Sequence, residues 1–258
     1  MKIFIMTILA VLLLGGCTSE SPDVSLKEPC ADAIAALNDI NTGLLQKFNE
    51  YNSEMAYTAL RLGREKFDGN RIAFVVRSLQ QIGTYVRMSG TTDLQGRRIL
   101  TFPEMYYRDN GSPVMLEDAA AIMQRVRNGD VVMSGAFRNK FNELVVNYVW
   151  PVKGDDNIVL GAVYIQIAVT EMLRHHISLQ IVGMPLNIWV MQTDGLILYD
   201  TTPEEIGINI ITDDYYRNFP TLMQIAKKIV NTPSGTGEYN YITKGNKTVQ
   251  VKGAQWNT

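Results

Sequence analysis

Apolar side chains recur every three or four residues between residues 31 and 62, which is the spacing of one face of a long α-helix. Two polar residues, Asn41 and Thr58, interrupt this stripe. It either packs against the protein's own domains or pairs with a second copy of the helix, and the interruptions favour packing within the chain. The stripe comprises Ile34, Leu37, Asn41, Leu44, Phe48, Tyr51, Met55, Thr58 and Leu62. A shorter helix is predicted at residues 72–82, so residues 31–82 form a helical stalk.

A pattern typical of β-strands follows the stalk, because β-branched and aromatic residues become frequent. A helical stripe at residues 117–127, closed by Asn128 and Gly129, interrupts this strand-rich region. A linking helix is predicted at residues 170–181. The predicted strands are residues 84–89, 97–102, 131–137, 143–152 and 158–169. The order is therefore two strands, a helix, three strands and a linking helix, which we call the first module, residues 83–181.

The same order of elements begins again in residues 182–258, the second module. Two strands meet at a tight turn containing Asp194 and Gly195, and a helix at residues 215–230 follows. The predicted strands are residues 187–192, 196–200, 238–243 and 248–255. This duplication predicts an α+β protein in which one long helix carries two similar modules, each an antiparallel sheet with an inserted helix.

The N-terminus has the pattern of an export signal. Lys2 is followed by an apolar run of about a dozen residues, well short of the ~20 that a membrane-spanning helix needs. Residues 14–17, Leu-Gly-Gly-Cys, resemble the lipobox of prokaryotic lipoproteins. We therefore expect residues 1–16 to be removed, Cys17 to carry a lipid and residues 17–30 to be a flexible tether. The protein would be exported and anchored at the outer face of the cytoplasmic membrane, in the periplasm or at the cell surface; the alternative is a plain signal peptide.

Composition and charge narrow the possible partners. Charged residues make up 19% of the chain and the formal net charge is -2, so no nucleic-acid partner is expected. His175 and His176 are the only histidines, and adjacent helical positions point about 100° apart, so they cannot face one metal ion together. No cysteine or carboxylate cluster has metal-ligand spacing, and no nucleophile motif is present. The sequence therefore predicts no metal, no cofactor and no catalytic activity.

Four short segments resemble one known family. They are residues 148–152 (Tyr-Val-Trp-Pro-Val), 160–163 (Leu-Gly-Ala-Val), 193–200 (Thr-Asp-Gly-Leu-Ile-Leu-Tyr-Asp) and 206–209 (Ile-Gly-Ile-Asn). In this order and spacing the chain, from about residue 31, resembles the double Cache extracellular sensor domains, whose modules are PAS-like. The resemblance implies a receptor-type domain that binds small molecules such as amino acids, carboxylates or amines, mostly in the first, membrane-distal module.

The sequence departs from the family at two points. The spaced Arg, Trp, Tyr and Asp pattern of amino-acid-binding members is absent. The second, membrane-proximal module also reaches Thr258 without the last strand that should complete its sheet. A sheet lacking that strand would have an unpaired, partly apolar edge, so either the chain is a fragment or the module is shorter.

Aromatic and charged residues of the first module are the main candidates for a ligand site, since such pockets combine aromatic walls with a few polar groups. Arg87 or Arg108 can clamp a carboxylate through two parallel hydrogen bonds. Otherwise the tyrosines pack at the rim and the arginines are solvated. The first-module candidates are Tyr85, Arg87, Tyr106, Tyr107, Arg108, Phe137, Asn147 and Tyr148; a weaker set in the second module is Asp200, Tyr215, Tyr239 and Tyr241. Asp194 is expected only to form its turn.

These observations support three hypotheses. The first is a sensory lipoprotein that binds a small organic acid, amino acid or amine. It would signal the bound state to a membrane receptor, kinase or transporter, and a dimer through the long helix is one route for that signal. The second is a substrate-capturing lipoprotein of a transporter. The third, an extracytoplasmic hydrolase, requires a nucleophile or metal site that the sequence does not show.

Overall fold

The computed structural model describes residues 9–14, 31–65, 70–103, 115–184, 186–242 and 250–257. The chain forms two compact units. The first contains Gln46–Met172, and the second combines Thr7–Leu45 with Leu173–Thr258. Helix α1 (Ala31–Arg64) therefore contributes its first part to the second unit and its second part to the first.

The apolar stripe of α1 is used for packing within the chain. Tyr51, Met55 and Leu62 are fully buried, and Thr58 is buried with them although it is polar. Ile34, at the start of the stripe, is partly exposed. Helix α2 (Asn70–Ser78) follows α1 and ends in a short 3₁₀ turn. No helix among the described residues is long and apolar enough to cross a membrane.

The first unit contains an antiparallel sheet with one inserted helix, α3 (Ala119–Arg127). Its strands are β2 Val86–Thr92, β3 Arg98–Phe102, β4 Val132–Met133, β5 Phe137–Arg138, β6 Leu144–Lys153 and β7 Val159–Ala168. They lie in the order β3-β2-β7-β6-β4, and β5 also pairs with β6. The segment predicted as one strand at 131–137 is two short strands. Ser134 lies between them. Its side-chain hydroxyl, and not its backbone carbonyl, accepts the hydrogen bond from the Asn147 backbone N–H, at 2.8 Å, which interrupts the backbone pairing with β6.

The second unit repeats this arrangement after α4 (Val169–Gln180). Its helix α5 begins at Pro220, five residues later than predicted, because Pro220 occupies the first turn, where a helix tolerates proline. The preceding segment, Asp214–Asn218, is a 3₁₀ helix. The other elements are β8 Leu186–Met191, β9 Ile197–Asp200, α5 Pro220–Asn231, β10 Ser234–Tyr241 and β11 Gln250–Asn257.

The centre of the second sheet is occupied by β1 (Leu9–Leu14), from the run predicted to be a signal peptide. The strand order is β10-β11-β1-β8-β9. β1 is antiparallel to both neighbours, with Leu12 opposite Gln255 on one side and Ile188 on the other. It has the position that β7 has in the first sheet, where β7 lies between the first strand of its module, β2, and the long strand β6. The strand expected to be missing from the second sheet is thus supplied by the N-terminal segment.

Each inserted helix covers one face of its sheet and creates a core there. In the first module Ile122 and Met123 of α3 pack on Val149 and Tyr164. In the second module α5 packs on aromatic residues of the sheet, among them Trp189, Tyr239, Tyr241 and Trp256. We call these surfaces the α3 face and the α5 face.

Candidate functional site

Three predicted residues of the first module, Tyr85, Arg87 and Tyr148, lie away from the α3 face. The Arg87 guanidinium forms ion pairs with Glu143, at 2.9 Å, and with Glu171. The Tyr148 hydroxyl donates a hydrogen bond to the side chain of Asn52 in α1. Tyr85 is nearly fully buried. These residues join the sheet to the helices, and the Arg87 charge is balanced by two carboxylates.

The remaining first-module candidates are distributed over other positions. Asn147 is on the α3 face, since it alternates with Val149 along β6. Phe137 is half-buried in the short strand β5. Tyr106, Tyr107 and Arg108 lie outside the described residues, as does Cys17. The structure therefore does not bring the described members of the predicted set together at one site.

A polar cluster that includes Asn147 does form on the α3 face. The amide Nε2 of Gln166 donates to Oδ1 of Asn147 at 3.3 Å. Next to it along β7, the Tyr164 hydroxyl lies 3.0 Å from the hydroxyl of Thr101. The guanidinium carbon of Arg98 lies 5.7 Å from the centre of the Tyr164 ring. A cation, two hydroxyls and two amides thus share this face.

The two amides retain unused hydrogen-bonding capacity although they are buried. Asn147 and Gln166 are 0% and 2% exposed, and within the described part of the chain Nδ2 of Asn147 and Oε1 of Gln166 have no partner. Flipping both amides exchanges donor and acceptor but still leaves one of each unpaired. Each such group costs about 1–3 kcal/mol. A bound polar molecule that offers both an acceptor and a donor would remove this cost.

The weaker predicted set, in the second module, is brought together on the α5 face. Its centre is Glu205, a buried carboxylate that accepts hydrogen bonds from the hydroxyls of Tyr216 and Tyr241. Tyr215 packs edge-on against Tyr216, with ring centres 5.2 Å apart. Asp200 and Tyr239 belong to the same cluster, because the charges of Asp200 and Glu205 both act on Tyr239.

Burial dominates the electrostatics of this second cluster. It raises the pKa of Asp200 to about 7, with Glu205 adding to the effect and the Thr202 backbone N–H, 2.6 Å away, opposing it. Burial also raises the pKa of Tyr239 well above its usual value and lowers that of Lys252. The half-buried Asp200 can therefore exchange a proton near neutral pH.

Asp200 should make the stability of the protein depend on pH. Its carboxyl keeps its proton up to about pH 7 in the folded state but loses it near pH 4 when unfolded. The stabilisation from this group is complete below pH 4 and is lost as the pH rises to 7. We expect Asp200→Asn to become progressively more stable than the native protein across this range, in urea unfolding measured between pH 4 and pH 8. The exposed Asp214→Asn should show no such trend, and parallel curves for Asp200→Asn and the native protein would contradict the assignment.

Asp194 was predicted only to form its turn. Its side chain accepts a hydrogen bond from the Leu196 backbone N–H at 3.0 Å, and Gly195 in the same turn has a positive φ of 93°.

Within the described ranges, no group of three or more His, Cys, Asp or Glu residues is placed to hold a metal ion. His175 and His176 are edge to face, with ring centres 5.8 Å apart.

Several residues of the two clusters were not predicted from the sequence. Gln166 and Tyr164 were missed because the other residues of their strand are mostly apolar. The signal that was available is their spacing of two residues along β7, which puts both on one face of the sheet. Lys252 lies directly opposite the predicted Tyr239 in the hairpin register. Glu205 gave no signal, since it follows another glutamate in a polar segment.

No protein-family model matches the chain, and no curated protein matches it. Solved structures do. An extracellular ligand-binding receptor from Desulfohalobium retbaense matches 86% of this chain with a TM-score of 0.65 and 21% identity, and this chain spans 39% of that receptor. The ligand-binding domain of the Pseudomonas aeruginosa PAO1 amino-acid chemoreceptor PctB, in complex with L-Gln, matches 87% of this chain and 88% of its own, with a TM-score of 0.59 and 14% identity. The corresponding domain of PctC, in complex with GABA, matches 86% of this chain and 96% of its own, with a TM-score of 0.55 and 12% identity.

These similarities establish the fold. The long N-terminal helix and the two antiparallel sheets with inserted helices match the Cache-type extracellular sensor domains. The fold predicted from the sequence is confirmed.

Proposed function

We propose that the protein is an exported sensor or binding lipoprotein that recognises a small polar molecule in its first module. The observation that carries this proposal is the pair of buried amides on the α3 face, with one donor and one acceptor unpaired among the described residues. The fold supports it, because PctB and PctC are ligand-binding domains of the same architecture. No described group suggests catalysis, so we propose no enzymatic activity.

The chemistry of the α3 face favours a ligand with a carboxylate. Arg98 brings a positive charge to this face, where its guanidinium lies near the Tyr164 ring and the Met88 sulfur. Nδ2 of Asn147 can donate to a ligand oxygen, and Oε1 of Gln166 can accept from a ligand N–H. An amino acid offers both kinds of group, whereas a simple carboxylate offers only the acceptor and a simple amine only the donor.

Signalling would need a membrane partner. We propose that a lipid on Cys17 holds the protein at the membrane and that a receptor, kinase or transporter detects occupancy. Since the apolar stripe of α1 is already buried, a dimer through this helix would use other residues. Leu45, Tyr57 and Leu60 are more than half exposed and are available for such contacts.

Thermal unfolding with added amino acids, organic acids and amines tests the first-module site. A ligand at a hundredfold its dissociation constant should stabilise the folded state by about 2.7 kcal/mol. Gln166→Met keeps the volume of the side chain but removes the amide, so this variant should fold and lose the response. Gln124→Met, at an exposed position of α3, is the matched control and should respond normally.

Two results would contradict the proposal. One is a well-folded protein that no compound stabilises. The other is a stabilising ligand whose effect is unchanged in Gln166→Met, since it would then bind away from the amide pair.

A further inference from the structure

The second module encloses more negative than positive charge on its α5 face. Asp200, on β9, and Glu205, in the following 3₁₀ turn, supply two carboxylates. Lys252, on β11, supplies one ammonium group and is also buried. The Lys252 nitrogen lies 5.4 Å from the centre of the Tyr241 ring, and it forms no ion pair within 4.0 Å among the described residues. One carboxylate is therefore not matched by a positive charge of the cluster.

The two carboxylates have different surroundings. Both oxygens of Glu205 accept hydrogen bonds from tyrosine hydroxyls. Among the described residues, Asp200 accepts hydrogen bonds only from Thr202, the residue two positions further along the chain. Burial of Asp200 without a strong partner is costly, and the protein responds by favouring its protonated form near neutral pH. Asp200 is thus the group that would gain most from a cation.

Two other groups on this face lack partners in the described structure, the indole N–H of Trp189 and the hydroxyl of Tyr239. Their side chains are only 3% and 2% exposed. Trp189 is opposite Asp200 in the strand register. Burial is the largest cause of the raised pKa of Tyr239, and the negative charges of Asp200 and Glu205 raise it further. Buried donors are normally satisfied, and orphaned ones cost about 1–3 kcal/mol each. They indicate hydrogen-bond partners that this part of the chain does not supply.

We infer that the α5 face of the second module is a second binding site, which takes a small organic cation with a protonated amine and a hydrogen-bond acceptor. The ammonium group would be bound by Asp200, and the acceptor would receive hydrogen bonds from Trp189 and Tyr239. The aromatic rings suit a cation, because the π-electrons give each ring face a partial negative charge. The site is separate from the amide pair of the first module and does not depend on it.

An organic cation fits this site better than a metal ion or an anion. A divalent metal requires several oxygen ligands at close range, whereas here both Glu205 oxygens already accept hydrogen bonds and an ammonium group is nearby. An anion would be placed beside two carboxylates. A single ammonium group, in contrast, matches the excess charge of the cluster and can donate to Asp200.

Thermal unfolding of the full chain with four primary amines that also carry an acceptor tests this inference: ethanolamine, glycinamide, 2-methoxyethylamine and tyramine. Acetamide and acetate serve as neutral and anionic comparisons. At pH 7.5 at least one amine should raise the melting temperature while neither comparison compound does. Asp200→Asn should weaken its apparent affinity about tenfold or more, and Trp189→Phe, which keeps the ring but removes the N–H, should also weaken it.

Matched variants separate this site from that of the first module. Asp214→Asn, at an exposed position in the second module, and Gln166→Met, in the first, should both retain the response to the amine. No stabilisation by any of the four amines would overturn the inference. So would a response that survives Asp200→Asn, or one that is lost in Gln166→Met, which would assign amine binding to the first module. The first-module proposal would fail by a different result, namely that no ligand stabilises the native protein without also stabilising Gln166→Met to the same extent.

Discussion

Replacing Glu205 with alanine is expected to lower the free energy of unfolding by about 4 kcal/mol. Glu205 is 7% exposed and accepts hydrogen bonds from the hydroxyls of Tyr216 and Tyr241. Hydrogen bonds to a charged group contribute about 1.5–3 kcal/mol each, and both hydroxyls would be left buried without their acceptor. Urea unfolding at pH 7.5 measures the loss. Glu205→Gln should lose less, because the amide oxygen still accepts one of the two bonds.

The adjacent residue provides a control for this prediction. Glu204 lies in the same 3₁₀ turn, Pro203–Glu205, but is exposed. Glu204→Ala should therefore change the free energy of unfolding by less than about 0.5 kcal/mol. Equal effects at the two positions would show that the turn itself, and not the buried hydrogen bonds of Glu205, determines stability here.

The contrast between Glu204 and Glu205 also shows where the sequence stops being informative. The periodic segments were predicted well, since α1 and the long strands β6 and β7 have bounds close to those expected. Periodicity reports which face of an element is buried. It says nothing about two adjacent glutamates in an irregular turn, where only the tertiary fold determines which carboxylate meets the tyrosines.

Long-range pairing limited the prediction of the first-module site in the same way. Tyr85 and Arg87 were predicted as site residues because an arginine among aromatic residues is typical of a ligand pocket. The partners of Arg87 are Glu143 and Glu171, 56 and 84 residues further along the chain. Local sequence contains no information on contacts at such separations. Asn147 was among the predicted residues and belongs to the polar cluster on the α3 face, but its hydrogen-bond partner Gln166 on the neighbouring strand was not predicted.

The second module offers the largest expected effect in the protein, the removal of β1. Without Leu9–Leu14, both β8 and β11 lose their partner at the centre of the sheet, and the backbone groups that faced it lose their hydrogen bonds. Each buried backbone group left unpaired costs about 1–3 kcal/mol, so several together exceed the loss expected for Glu205→Ala. We expect a chain lacking residues 1–16 to have a locally or wholly unfolded second module.

Hydrogen–deuterium exchange of the full chain and of the shortened chain measures this effect segment by segment. Amides of Leu186–Met191 and Gln250–Asn257 should exchange at least about a hundredfold faster in the shortened chain, whereas those of β6 and β7 in the first module should change little. Adding a peptide with the sequence of residues 9–14 should restore the protection, because antiparallel pairing needs only an extended apolar segment in the right register.

The outcome also bears on export, since the same residues are predicted to be a signal peptide that is removed. If exchange of β8 and β11 is unchanged without residues 1–16, β1 is dispensable and removal of the signal peptide leaves the second module intact. If protection is lost and the peptide restores it, the centre of this sheet is a position that accepts a strand. A mature lipoprotein that begins at Cys17 would then need another extended segment there before the α5 face, with Asp200 and Trp189, could form its binding site.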